Sequence, residues 1–119
     1  MIFIVDDDAA TRDSLRLLLE AEGFEAREFA AGRTFLDGER PADGDCLILD
    51  LTMPGMSGFE VLAELRGRGD TLPVIIVTAY ADSTTRSRAA ASGALAMLEK
   101  PHRASELLAL VRRALGIGL

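Results

Sequence analysis

Short apolar runs alternate with segments of helical periodicity along the whole chain. Most of the runs are apolar at nearly every position, as buried strands are, whereas the second alternates apolar and charged residues as an edge strand does. The predicted strands are residues 2–5, 24–29, 46–49, 73–77 and 94–99. Helices are predicted around Leu15, Leu18 and Leu19, over 30–38, around Leu62 and Leu65, over 82–92, and around Leu107, Leu108 and Val111. Five strands that alternate with helices predict an α/β fold, with a parallel sheet covered by helices on both faces.

Acidic and polar side chains lie at or just past the carboxyl ends of four predicted strands. Those ends share one edge of a parallel sheet, where the ligands of such folds bind. Like charges a few ångströms apart resist joint ionisation, so neighbouring carboxylates either keep a proton or hold a cation. The pattern therefore predicts a pocket for a hard cation. The residues concerned are Asp6 and Asp7 after the first strand, Asp50 after the third, Thr78 after the fourth and Lys100 after the fifth.

Each of these residues also has a purely structural explanation. Acids are favoured at the start of a helix, and for Asp8, the third acid of the first run, this is the better interpretation. Asp50 taken alone is equally compatible with a solvated loop acid. Thr78 is an ordinary β-branched residue for a strand end, and Lys100 is an ordinary surface lysine. The functional interpretation depends on the coincidence of all of them at one edge of the sheet.

Composition narrows the function classes. The chain has 119 residues, which suits one domain over 1–119, and a formal net charge of -6 argues against direct binding of nucleic acid by this domain. The single cysteine, Cys46, cannot form an internal disulfide, which favours a reducing cytoplasm. No apolar run approaches the roughly 20 residues that span a bilayer, and no basic leader precedes the first strand. We therefore expect a cytosolic protein that does not bind membranes.

Four motifs at predicted strand ends together indicate a family. They are VDDD at 5–8, LILDLTMPGMSG at 47–58, VTA at 77–79 and EKP at 99–101. In this order the chain resembles, over essentially its whole length, the CheY-like receiver domain of two-component response regulators. The VDDD and EKP motifs are similar to those of receivers in nitrogen-fixation and nitrate-response transcription regulators. The resemblance implies a flavodoxin-like strand order of 2-1-3-4-5 and a role in signal transduction.

The resemblance also implies a reaction. Asp50 would be the phosphoacceptor and would receive its phosphoryl group from a sensor histidine kinase. Mg²⁺ would be held by Asp6, Asp7, Asp50 and the backbone carbonyl of Thr52, and carboxylate and carbonyl oxygens are ligands that Mg²⁺ prefers. Such a domain is a phosphoacceptor that also hydrolyses its own phosphoaspartate. It is not an enzyme that acts on other substrates.

Further residues take roles by the same resemblance. Thr78 and Lys100 would act with Asp50 by contacting phosphoryl oxygens, while Ala79 and Thr52 would border the phosphoryl group. The bond preceding Pro101 would be cis, which directs the lysine. A switch would run from Thr78 through Tyr80 and position 97, and would change a homodimer or partner surface formed by residues 82–99.

The sequence departs from the family at one switch position. Met97 stands where the family usually has an aromatic residue, and a flexible methionine would couple the pocket to the surface more loosely. Residues 82–88 have low helix propensity and almost no apolar face, so this segment is predicted to be locally unstable. Two alternatives stay open. One is a phosphorylation-independent interaction module. The other is an aspartate-nucleophile phosphatase, which would need an acid where this chain has Thr52.

Overall fold

The computed structural model describes residues 1–38 and 40–117, so residues 39, 118 and 119 of the predicted domain lie outside the described residues. Within them, five strands alternate with five helices. The strands are β1 (Ile2–Val5), β2 (Ala26–Phe29), β3 (Cys46–Asp50), β4 (Val74–Thr78) and β5 (Ala96–Glu99). The helices are α1 (Ala9–Ala21), α2 (Gly32–Leu36), α3 (Gly58–Gly67), α4 (Ser83–Ala91) and α5 (Ala104–Ala114). None of these helices is both long enough and apolar enough to cross a membrane.

All five strands form one parallel sheet in the order β2-β1-β3-β4-β5, which confirms the predicted order. The order reverses at β1, because the chain first adds β2 on one side and then β3 on the other. In register, Val5 lies beside Leu49, Asp50 beside Val77, and Thr78 beside Glu99. The carboxyl ends of β1 and β3 therefore flank the crevice where ligands of such sheets bind.

Helices cover both faces of the sheet, as predicted. Side chains alternate between the faces along each strand. Ile4 and Ile48 pack in a layer with α1 and α5, whereas Val5 and Leu49 pack in the opposite layer with α2, α3 and α4. This alternation fixes the direction of the functional residues, because Asp6 and Asp50 each follow two positions after Ile4 and Ile48.

Several element boundaries differ from the predicted ones by a few residues. The second strand begins at Ala26 rather than residue 24, because the amide of Phe24 donates to Leu19 at 3.0 Å and completes the end of α1. The fourth begins after Pro73, which has no amide hydrogen to give to a sheet. The third and fourth strands extend through Asp50 and Thr78, so both residues are held by regular sheet pairing.

Candidate functional site

Three carboxylates converge where β1 and β3 end. Asp6, Asp7 and Asp50 each place a carboxylate oxygen within 4.8 Å of the others. Asp6 and Asp50 are buried, and Asp7 is exposed. The strands determine this arrangement, because β1 and β3 are neighbours and both acids follow an apolar run that fixes the strand in the core. The structure thus brings together the three acids that the sequence placed at one edge.

Lys100 joins this group from the end of β5. Its Nζ donates to Asp6 Oδ2 at 3.0 Å and lies 3.7 Å from Asp50 Oδ1. Burial by itself would lower the pKa of Lys100, but the hydrogen bond from Lys100 to Asp6 and the charges of Asp50 and Asp6 outweigh it and raise the pKa. The ammonium therefore stays charged and offsets part of the repulsion between the two buried acids.

Asp50 is the most perturbed acid of the site. Burial raises its pKa to about 6, the neighbouring charge of Asp6 adds to this effect, and Lys100 opposes it. The amide of Thr52 lies 3.4 Å from Asp50 Oδ1. A carboxylate that is buried beside a second acid and poorly compensated is a candidate for reaction or for cation binding.

The remaining acids of the first run have separate environments. No described residue donates a hydrogen bond to the Asp7 carboxylate, which leaves its oxygens open to solvent. Asp8 occupies the N-cap position of α1, as predicted, although its carboxylate accepts from the Thr11 hydroxyl at 2.5 Å rather than from a helix amide. This hydrogen bond holds the pKa of Asp8 below its usual range. Asp8 therefore belongs to the helix and not to the acid cluster.

The donor set fits a hard divalent cation. Asp6, Asp7 and Asp50 supply oxygen atoms at close range, and burial and the charge of Asp6 raise the pKa of Asp50, which a bound cation would oppose. Mg²⁺ is bound in proteins through a small number of carboxylates and keeps several waters. The exposed side of Asp7 leaves room for such a hydrated ion.

Thr78 lies at the end of β4 with its hydroxyl bonded to its own loop. The hydroxyl donates to the carbonyl of Tyr80 at 3.3 Å and accepts from the amide of Tyr80 at 3.2 Å. Thr78 is buried, whereas Ala79 is exposed and Tyr80 is 76% exposed. The structure therefore places Thr78 at the predicted edge, with its hydroxyl bonded to Tyr80.

The last strand carries the remaining predicted positions. The Lys100–Pro101 peptide bond is cis. Met97 is half-buried and packs against the layer that contains α3 and α4. Thr78 follows two positions after Ile76, a member of that same layer, so Thr78 and Met97 lie on the same face of the sheet.

Gly58, the last residue of the LILDLTMPGMSG motif, packs against the end of β3. A Cβ at Gly58 would overlap the carbonyl oxygen of Asp50 and lie 2.8 Å from the Cα of Leu51. The first residue of α3 therefore packs directly on the backbone of the strand end that carries Asp50. The signal in the sequence is a glycine at the predicted start of a helix, directly after a turn that contains Pro54.

Comparison with known proteins agrees with this geometry. The family model described as response regulator receiver domain matches residues 2–112. The chain belongs to the response regulator receiver family. The receiver is 39% identical to the transcriptional regulatory protein FixJ of Azorhizobium caulinodans, over 97% of this chain and 54% of that protein.

Two solved structures show the same fold. The receiver is similar to the response regulator StyR, with a TM-score of 0.90, 40% identity, and coverage of 98% of this chain and 59% of that one. It is also similar to the chemotaxis protein CheY4 of Vibrio cholerae, with a TM-score of 0.86, 29% identity, and coverage of 95% and 96%.

These relatives define what is general for the receiver. The chain spans about half the length of the curated relatives it matches, at 54% and 51% of two of them. FixJ and other matched regulators belong to two-component systems, in which the general role of the receiver is phosphorylation on an aspartate. Receivers of this family generally bind Mg²⁺ at an acidic pocket, and they imply a histidine kinase as partner.

Proposed function

We propose that this receiver accepts a phosphoryl group on Asp50 from a sensor histidine kinase in a Mg²⁺-dependent reaction. The observation that carries the proposal is the position of Asp50, a buried carboxylate within 4.8 Å of two other acids and 3.7 Å from Lys100. A carboxylate oxygen can attack phosphorus to form an acyl phosphate. The bond from phosphorus to the donor imidazole breaks, and its electron pair stays on the imidazole, which then takes up a proton.

Catalysis in such a transfer consists largely of positioning and charge neutralisation. Asp6, Asp7, Asp50 and the carbonyl of Thr52 would hold Mg²⁺, which supplies positive charge against the acids and the incoming phosphoryl oxygens. Lys100 already lies between Asp6 and Asp50 and can donate to a phosphoryl oxygen as a point charge. Ala79 and Thr52 are exposed, and in this proposal they border the phosphoryl group and leave space for it.

The same site supports a switch. The Thr78 hydroxyl has to leave the Tyr80 carbonyl before it can donate to a phosphoryl oxygen on Asp50. A movement of Thr78 would change the loop that leads into α4 and the packing beside Met97. We propose that this movement alters a homodimer or partner surface formed by α4 and β5, within residues 82–99.

Two finer assignments belong to the same proposal. We propose that the receiver works in the cytoplasm, which suits a free, fully buried Cys46. It acts as a phosphoacceptor and not as a phosphatase for other substrates, because the position two residues after Asp50 is Thr52 and supplies no acid. We propose that the receiver takes part in transcription regulation, as FixJ does by its description.

Intact-mass measurement tests the proposal. The protein is incubated with acetyl phosphate, with Mg²⁺ or with EDTA, and compared with Asp50→Asn and with the control Asp8→Asn, whose carboxylate serves α1. We expect one phosphoryl group on the native chain and on Asp8→Asn with Mg²⁺, and none on Asp50→Asn. An adduct that forms equally well in EDTA, or that persists in Asp50→Asn, would overturn the proposal.

A further inference from the structure

Arg12 connects the acid site to β2, the strand at one side of the sheet. Its side chain is 15% exposed, and it extends from α1 to the residue that follows β1 and to Glu28 in β2. Nη1 donates to the backbone carbonyl of Asp6 at 2.7 Å, and Nε donates to Glu28 Oε1 at 3.2 Å. The planar guanidinium thus bridges the loop after β1 and the strand β2. A guanidinium presents several donors in a fixed geometry, which suits such a bridge.

Glu28 is a firm anchor for this bridge. Arg16, one helical turn after Arg12, donates from Nε to Glu28 Oε2 at 2.7 Å, so the two arginines hold the two oxygens of one carboxylate. The hydrogen bond from Arg16, followed by the one from Arg12, holds the pKa of Glu28 below its usual range. Glu28 therefore stays ionised at neutral pH and keeps Arg12 in place.

The carbonyl that Arg12 holds belongs to the peptide unit that joins Asp6 to Asp7. The amide of Asp6 is bonded to Phe29 in the sheet at 3.2 Å, whereas its carbonyl lies past the last paired residue of β1. A peptide unit is planar, so a donor that fixes this carbonyl also fixes the amide and the Cα of Asp7, from which the Asp7 side chain extends.

The three acids differ in how much other support they have. The Asp6 carboxylate accepts hydrogen bonds from the amide of Asp8 at 2.9 Å and from the ammonium of Lys100 at 3.0 Å. The backbone of Asp50 is held by regular sheet pairing. The Asp7 carboxylate receives no hydrogen bond from the described part of the chain. Among the described contacts, the support for Asp7 therefore comes through its backbone, at the peptide that Arg12 contacts.

We propose that Arg12 is a positioning residue for the acid site, which fixes the peptide between Asp6 and Asp7 so that the Asp7 carboxylate faces a divalent cation. The inference rests on the proposed function, in which these acids bind Mg²⁺. Outer partners that orient metal-binding groups typically change metal affinity by about 10- to 100-fold when they are removed.

Charge alone predicts the opposite result, which makes the test sharp. Replacing Arg12 by glutamine removes a positive charge near an acidic site and would by Coulomb attraction strengthen the binding of a cation. Positioning predicts weaker binding. Arg16→Gln also removes one positive charge and one of the two arginines that donate to Glu28. The hydrogen bonds of Arg16 go to Asp13, Glu20 and Glu28, and none goes to the peptide between Asp6 and Asp7.

The experiment measures the Kd for Mg²⁺ of the unphosphorylated protein by titration calorimetry, together with the thermal unfolding midpoint in EDTA. We expect Arg12→Gln to raise the Kd about tenfold and Arg16→Gln to change it less than about twofold. Arg12→Lys keeps the charge but cannot bridge both partners, so its Kd should rise by an intermediate factor of about threefold. If Arg12→Gln fails to fold, Arg12→Lys carries the test, and an unchanged Kd there overturns the inference.

The outcomes separate the two levels of the account. If the native chain binds Mg²⁺ and Arg12→Gln matches Arg16→Gln, the assignment of Arg12 is wrong and the proposed function stands. If the native chain binds no Mg²⁺, the proposed function is wrong and the inference falls with it. Weaker binding in Arg12→Gln with unchanged binding in Arg16→Gln supports both.

Discussion

At the scale of single residues, the acid site holds neighbouring carboxylates whose negative charges repel one another. Burial and the charge of Asp6 both disfavour the ionised form of Asp50, and the ammonium of Lys100 compensates only in part. The folded protein therefore carries a charge that it would hold more easily when unfolded. A cation or a phosphoryl group with its metal changes this balance, which gives ligand binding a direct effect on the free energy of unfolding.

The pH dependence of stability follows from the raised pKa of Asp50. The pKa of Asp50 is about 6 in the folded protein, against 3.8 for an aspartate side chain that folding does not perturb. Below the lower value both states are protonated and there is no cost, whereas above pH 6 the folded state bears the full cost of ionisation. In EDTA, Asp50→Asn should therefore raise the free energy of unfolding at pH 7.5 by up to about 3 kcal/mol. The gain should disappear as the pH falls from 6 to 4.

Chemical denaturation at several pH values measures this effect. Asp8→Asn is the matched control, because the pKa of Asp8 is lowered and its replacement gives no such gain. An Asp50→Asn variant that is no more stable than the native protein at pH 7.5, or that keeps its full gain at pH 4, would show that burial does not strain this carboxylate.

At the scale of elements, α4 is the least firmly packed helix of those described. Its one buried residue is Ala89, whereas α3 buries Val61, Leu62 and Leu65. A buried leucine contributes about 1.5–3 kcal/mol more than an exposed one, and alanine contributes much less. The side chain of Arg88 adds a contact, with its guanidinium 4.1 Å from the centre of the Phe59 ring at the start of α3.

Hydrogen exchange tests this description of α4. Amides of α4 should exchange faster than those of α3 in the native protein. Arg88→Gln should accelerate amide exchange in α4 by a further factor of about two to five, because an exposed cation–π contact contributes about 0.5–1 kcal/mol. Arg113→Gln, which removes the same charge from α5, is the control. Equal protection in α3 and α4, or no response to Arg88→Gln, would contradict the assignment.

The sequence is most informative for elements that are apolar on both faces. The strands β1, β3 and β4 were predictable to within one residue at each end, because a buried strand in a parallel sheet is a continuous apolar run and its end is marked by the first polar residue. The partners of the Thr78 hydroxyl were not predictable, since they depend on the path of the following loop. The bridge from Arg12 to Glu28 joins residues that are distant in sequence, and no local pattern marks it.

At the scale of the whole molecule, the charged residues of the site lie at one edge of the sheet, and the proposed switch would act on one of its faces. The acids and Lys100 lie at the carboxyl ends of the strands, and Thr78 connects this edge to the layer that holds α4 and Met97. In the proposed switch, phosphorylation at Asp50 would be transmitted by Thr78, whose hydroxyl would exchange the Tyr80 carbonyl for a phosphoryl oxygen. In the proposed switch, the flexible side chain of Met97 would set how sharply the two arrangements differ, less sharply than an aromatic ring would.

Dimerisation provides the measurement at this scale. We expect Met97→Tyr to increase the fraction of dimer per phosphorylated molecule, since a rigid ring distinguishes the two arrangements better than methionine does. Sedimentation velocity on samples of known phosphorylation measures the dimer fraction. Met56→Leu, which alters another methionine packed against the same layer, should have no effect. Equal dimerisation of the native protein and Met97→Tyr would show that position 97 does not limit the switch.

The central claim is that Asp50, and neither of the two acids beside it, forms the acyl phosphate. Borohydride reduces a phosphorylated aspartate to homoserine, which tandem mass spectrometry locates within a peptide. After phosphorylation by acetyl phosphate with Mg²⁺, the account predicts conversion at Asp50 and unmodified aspartate at Asp6 and Asp7. Conversion at either of those residues, or the absence of any converted aspartate, would contradict it.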